Sequence, residues 1–84
     1  MTIQTEKLVE QMIKAIADYP EEVLVSRKLD NMGVLLSVNL NPRDCGMIIG
    51  KGGEVIKAIR TVARVVGIKN NERVAVKVID YERR

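Results

Sequence analysis

The sequence predicts an α+β domain, a three-stranded mixed sheet covered on one face by three helices. Three observations lead there. A stretch with helical periodicity opens the chain. Two stretches that alternate apolar and polar residues follow, joined by Asp30-Asn31-Met32-Gly33. A third alternating stretch comes only after two more helical segments separated by Gly50-Lys51-Gly52-Gly53. With 84 residues there is room for one domain, residues 1–84 with a core at about 6–81.

Thr5 has the chemistry of an N-cap, and Leu8, Val9, Met12, Ile13 and Ile16 then recur at helical spacing. This helix is expected from Glu6 to Asp18, with Pro20 stopping it. Glu22 to Leu29 reads as the first strand, Asp30 to Gly33 as turn chemistry, and Val34 to Leu40 as the antiparallel partner. Asn41-Pro42-Arg43-Asp44 starts a short helix, Pro42 to Ile49: Asn caps, Pro takes the first turn, Asp complements the dipole. Gly46 inside that helix is costly unless something packs close to it.

The next helix, Glu54 to Val66, gathers Val55, Ile56, Ile59, Val62, Ala63 and Val66 on one side and Lys57, Arg60, Thr61 and Arg64 on the other. Gly67 stands where a C-terminal cap belongs, and Lys69 to Glu72 reads as a loop. Arg73 to Tyr81 alternates again as the last strand, and Glu82-Arg83-Arg84 is a tail. A crossover of two helices between the second and third strands makes those two parallel if they are neighbours, and the sheet mixed.

Composition narrows the function. The chain has no His and one Cys, Cys45, which argues against a zinc or haem site and excludes nucleophiles activated by His. The acids form no convergent pair, so no enzyme activity and no cofactor is expected. No apolar run is long enough for a membrane span, and no signal pattern opens the chain, so a cytoplasmic protein is expected. Charge is uneven. Residues 1–40 carry four Lys or Arg against six Asp or Glu, and residues 41–73 carry seven against three. The basic part contains the glycine loop and points to a polyanionic partner.

Three glycines and a cation are more than a tight turn needs. They leave bare backbone beside the start of a helix, where unpaired amides and the helix dipole favour an anion such as phosphate. A Walker-type loop fails on spacing and on Gly52 in place of Ser or Thr. A dinucleotide fingerprint fails at Val55, where the third glycine belongs. A helix-turn-helix has no need of an exposed loop backbone.

The run Ile48-Ile49-Gly50-Lys51-Gly52-Gly53 with Ile56 and Ile59 resembles the KH-domain signature [VI]-I-G-x-x-G-x-x-I-x-x-I, matching at every fixed position. The element order looks like the type II arrangement of that fold, and the chain as a whole is similar to the KhpA-like group of small bacterial KH proteins. The resemblance implies a non-enzymatic protein that clamps single-stranded RNA, with a role in post-transcriptional regulation. Gly50, Lys51, Gly52 and Gly53 would grip the sugar–phosphate backbone. Ile49 and the sheet edge near Val38 would floor a groove, and Arg43, Lys57 and Arg60 would add charge at its rim. A homodimer, or a heterodimer with another KH protein, is the expected assembly. The competing reading is a protein–protein interaction module, with the ribosome as one candidate place of action. For Lys57, Arg60 and Arg64 an ordinary solvated face stays open, as does simple core for Ile48, Ile56 and Ile59.

Overall fold

The computed structural model describes residues 4–79, with Lys51 described by its backbone alone. Its elements are α1 (Thr5–Ile16), β1 (Leu24–Asp30), β2 (Gly33–Asn39), α2 (Pro42–Ile49), α3 (Glu54–Lys69) and β3 (Val74–Val78). The sheet order is β1-β2-β3. β1 and β2 are antiparallel, from Leu24 opposite Asn39 to Asp30 opposite Gly33. β2 and β3 are parallel, from Val34 beside Val74 to Val38 beside Val78. This is the mixed α+β architecture and the element order of a type II KH fold.

Alternation along β2 places the helices. Val34, Leu36 and Val38 are buried, and Leu40 just beyond the strand joins them. Leu35, Ser37 and Asn39 on the opposite face are only partly covered, and Ala75 and Lys77 beside them on β3 are exposed. All three helices therefore lie on one face. The core joins Val9 and Ile13 of α1, the inner face of β2, Val76 of β3, Cys45 and Ile48 of α2, and Ile56, Ile59 and Ala63 of α3.

Several local expectations shift. Thr5 is the first helical residue rather than the cap, and it is buried. It shares a stripe with Val9 and Ile13 at i, i+4 and i+8, and that inward face leaves the cap position to Gln4. α1 stops at Ile16, two residues before Asp18, because the amides of Asp18 and Tyr19 turn to the side chain of Asp44. A short 3₁₀ turn, Pro20–Glu22, then delays the first strand to Leu24. The hairpin turn is only Asn31-Met32, with the Met32 N–H held by Asp30 Oδ1 at 2.7 Å.

α3 runs on to Lys69, past Val66. Gly67 is inside the helix, buried where a Cβ would lie 2.6 Å from Val74 Cγ2 and 2.9 Å from the Glu72 carbonyl oxygen. It permits close approach of helix and strand instead of capping. The capping falls to Asn71, left-handed at φ 58°. The Glu72 N–H reaches the Gly67 carbonyl at 2.7 Å and the Asn71 N–H that of Ile68 at 3.1 Å, which is a Schellman ending built on Asn. β3 spans Val74–Val78. The expected continuation through Asp80 and Tyr81, and the tail Glu82-Arg83-Arg84, lie outside the described residues.

Candidate nucleic-acid interface

α2 has the bounds its sequence signals demand. Asn41 Oδ1 accepts the Arg43 N–H at 2.9 Å, and Pro42 occupies the first turn. Asp44, Cys45 and Ile48 point inward, while Arg43, Gly46, Met47 and Ile49 are exposed. The Cys45 thiol lies 3.4 Å from the Ile79 carbonyl oxygen, so α2 sits beside the C-terminal end of β3. Ile49 is about 40° round the helix from Cys45 and shares its β3 side. Arg43 is about 160° from Cys45 and stands at the end of α2 remote from the loop.

The loop uses its glycines for two different reasons. Gly50 has extended backbone (φ −70°, ψ −175°), but a Cβ there would lie 2.7 Å from the Gly46 carbonyl oxygen, which accepts the Gly50 N–H at 2.8 Å. Gly52 and Gly53 are left-handed, at φ 70° and 74°. A side chain in that region costs roughly 1–2 kcal/mol. The Gly53 N–H closes the turn on the Gly50 carbonyl at 3.0 Å. Around Gly52 there is open space: a Cβ would meet nothing within 4 Å. α3 starts directly from Gly53 without a side-chain cap, so its first-turn amides have no partner within the helix. Glu54 is the acid of the first turn of α3 and is exposed there.

The basic stripe of α3 points along the sheet edge. Gly53, Lys57, Arg60 and Arg64 fall within about 60° on the helical wheel. Arg60 Nε–H donates to the Val76 carbonyl at 3.2 Å, which ties that stripe to the free edge of β3. Ile56, Ile59 and Ala63, on the adjoining face of the helix, are core. The sequence-predicted residues therefore separate. Ile49, the Gly50–Gly53 backbone, Lys57 and Arg60 gather between α2, α3 and the edge of β3. Arg43 is left at the other end of α2, and the side chain of Lys51 lies outside the description. Val38 is fully buried on the helix-covered face of β2, which is the central strand and so has no free edge. The edge strand on the α2 and α3 side of the loop is β3, which Arg60 contacts at Val76 and Cys45 meets just past its end at Ile79.

Two further features adjoin the predicted residues, one that the sequence flags only as a costly helix glycine and one that it does not mark. Gly46 is exposed on the open face of α2, and a Cβ there would meet nothing within 4 Å. A mid-helix glycine was the available signal. The free edge of β3 had none, since alternation does not distinguish an edge strand from a central one.

Charge pairing follows the same division. Lys14 pairs with Glu10 at 3.0 Å, and Arg27 lies between Glu6 at 3.4 Å and Glu72. The Arg27 guanidinium holds the Glu72 carboxyl below its ordinary range. Among the described residues no carboxylate pairs with Lys57, Arg60, Arg64 or Arg73. The described residues also contain no cluster of His, Cys, Asp and Glu able to hold a metal, and no helix long and apolar enough to cross a membrane.

Comparison with known proteins matches residues 6–78 to the KH domain of KhpA and KhpB. The RNA-binding protein KhpA of Clostridium perfringens is 40% identical over 74 residues, covering 88% of this chain and 99% of that protein. That of Clostridium acetobutylicum is 39% identical over 74 residues, with the same coverage of both chains. That of Listeria monocytogenes serovar 1/2a is 31% identical over 75 residues, covering 89% of this chain and 99% of the relative.

Proposed function

This chain belongs to the KhpA/KhpB KH-domain family and is an RNA-binding protein of the KH type, and from that premise we propose that it clamps single-stranded RNA with the backbone of Gly50–Gly53. One observation carries the reading. A glycine backbone open to approach at Gly52 leads straight into a helix start with no side-chain cap, on the helix whose Arg60 reaches the edge strand at Val76 and whose Lys57 and Arg60 pair with no carboxylate among the described residues. The amides of the loop and of the first turn of α3 meet phosphate, and Lys57 and Arg60 supply charge along the rim. Ile49, 40% exposed, gives the bases an apolar floor. The chain has only two aromatic residues, so base stacking contributes little, as suits a groove of this kind.

The chain acts without catalysis, in the cytoplasm, in post-transcriptional regulation. One short groove gives limited contact area, so a second copy of the chain is its expected partner. An exposed apolar surface between α1 and α3, lined by Met12, Ala15, Ile16, Val55 and Ala58, supports that assembly.

Lys51→Asp combined with Gly52→Asp tests the clamp. Asp is among the residues that best tolerate the left-handed conformation Gly52 adopts, so the fold is retained. Circular dichroism should be unchanged and affinity for a mixed single-stranded RNA pool largely lost. Full retained affinity in a folded double variant overturns the reading and favours a protein–protein module.

A further inference from the structure

We propose a second RNA contact beyond the clamp, a cleft at the C-terminal end of α3 in which Arg64 and Arg73 grip a strand too long for the glycine loop alone. The proposal rests on the clamp reading and extends it. The cleft, of about 470 Å³, is lined by Arg64, Ile68, Asn71, Glu72, Arg73 and Val74. That volume lies in the range of small-ligand sites.

Three features give it a nucleic-acid character. First, its charge is positive in effect. The carboxylate of Glu72 is engaged by both terminal guanidinium nitrogens of Arg27, while Arg64 and Arg73 pair with no carboxylate among the described residues. Second, its floor is aliphatic. Ile68 is 67% exposed and Val74 lies beside it, so a base can lie on apolar carbon with a guanidinium plane against its face. Third, it continues the same track. Arg64 belongs to the stripe of Gly53, Lys57 and Arg60, which Arg60 ties to the β3 edge at Val76. The rise along α3 from Gly53 to Ile68 is about 22 Å, so the cleft and the loop are the two ends of one basic path. The Schellman ending at Asn71 fixes the far end, holding Asn71 and Glu72 against the helix by amides 3.1 and 2.7 Å from the carbonyls of Ile68 and Gly67.

The test compares mixed-sequence RNA pools of four and of ten nucleotides by fluorescence anisotropy, with wild type, the pair Arg64→Ala/Arg73→Ala, and the pair Arg64→Lys/Arg73→Lys. Both arginines are exposed, and thermal unfolding checks the fold. The Ala pair should bind ten-mers about tenfold more weakly, the equivalent of two modest charge-assisted contacts. Its salt slope should be shallower by about 1.4. Four-mers should bind it as they bind wild type. The Lys pair should keep the wild-type salt slope. Unchanged ten-mer binding, equal weakening of four-mers and ten-mers, or a Lys pair as shallow in slope as the Ala pair each overturns the distal cleft while leaving the clamp standing. Wild type that binds neither pool overturns the clamp itself.

Discussion

The Asp44 carboxylate on α2 accepts the backbone N–H of Asp18 at the end of α1, at 2.9 Å, and its second oxygen takes that of Tyr19 at 3.0 Å. Asp44 is 1% exposed, so water cannot substitute for it. This ties the helix that leads into the glycine loop directly to the segment leaving α1. Asp44→Ala leaves two amides without an acceptor and should destabilise the fold by roughly 2–4 kcal/mol. Asp44→Asn keeps one acceptor oxygen but turns an amide group toward the other N–H, and should fall between the two. Urea unfolding measures both; an Ala variant as stable as wild type would sink the account.

How much was legible depended on whether the deciding contact was local. The bounds of α2, Pro42–Ile49, follow from Asn41 and Pro42 at one end and Gly50 at the other, all within the segment. The Gly50–Gly53 turn was legible for the same reason. Asp44 was read as a first-turn acid facing the helix dipole, but its partners lie 25 and 26 residues away, where spacing carries no information. Gly67 was read as a cap, but contact with Val74 demands the glycine, and tertiary packing overrode the local signal. Val38 comes to the groove by the family resemblance, and the alternation that marks its buried face says nothing of strand order, which puts β2 in the centre of the sheet.

The two helical glycines should respond oppositely to Ala. At Gly67 the new Cβ meets Val74 and the Glu72 carbonyl, so the helix-propensity gain is outweighed and stability should fall by about 1–3 kcal/mol. At Gly46 the space is open, and stability should rise by about 0.5–1 kcal/mol. The same Gly46→Ala change adds a methyl to the open face of α2 and should weaken RNA binding severalfold. Gain of stability with loss of affinity is the signature of a glycine kept for close approach.

The Arg27–Glu72 pair sets an acid limit. The folded-state pKa of Glu72 is depressed by the hydrogen bond from Arg27, so the pair's stabilisation is complete above the ordinary carboxylate range and is lost as pH falls through the folded value. Wild type should exceed Glu72→Gln in urea midpoint at pH 6, and the difference should shrink steadily as pH is lowered through and below the ordinary carboxylate range. Both side chains are partly exposed, at 33% and 25%, so the difference should also shrink with added salt. A difference that does not change with falling pH would locate the effect elsewhere.

Self-association should depend on the α1–α3 face. Val55, Ala58, Val62 and Val65 share one side of α3, with Val62 and Val65 41% and 51% exposed. Ala58→Arg puts a charge in the middle of that surface while keeping a good helix former. Sedimentation equilibrium should show a shift from dimer toward monomer, with the unfolding midpoint of the monomer little changed. An unaltered dimer would place the interface on another surface.

Salt dependence separates a phosphate clamp from an apolar protein interface. If about three phosphates are neutralised, log K should fall with log salt at a slope near −2 for a single strand. Lys57→Ala removes one rim cation that has no carboxylate partner among the described residues, and should make the slope shallower by about 0.7. Arg60→Ala should do more than that. Its Nε also holds the Val76 carbonyl at the groove edge, so its loss should both flatten the slope and reduce affinity extrapolated to 1 M salt, where the electrostatic part has largely gone. If the two variants behave alike, the Arg60–Val76 contact has no part in shaping the groove.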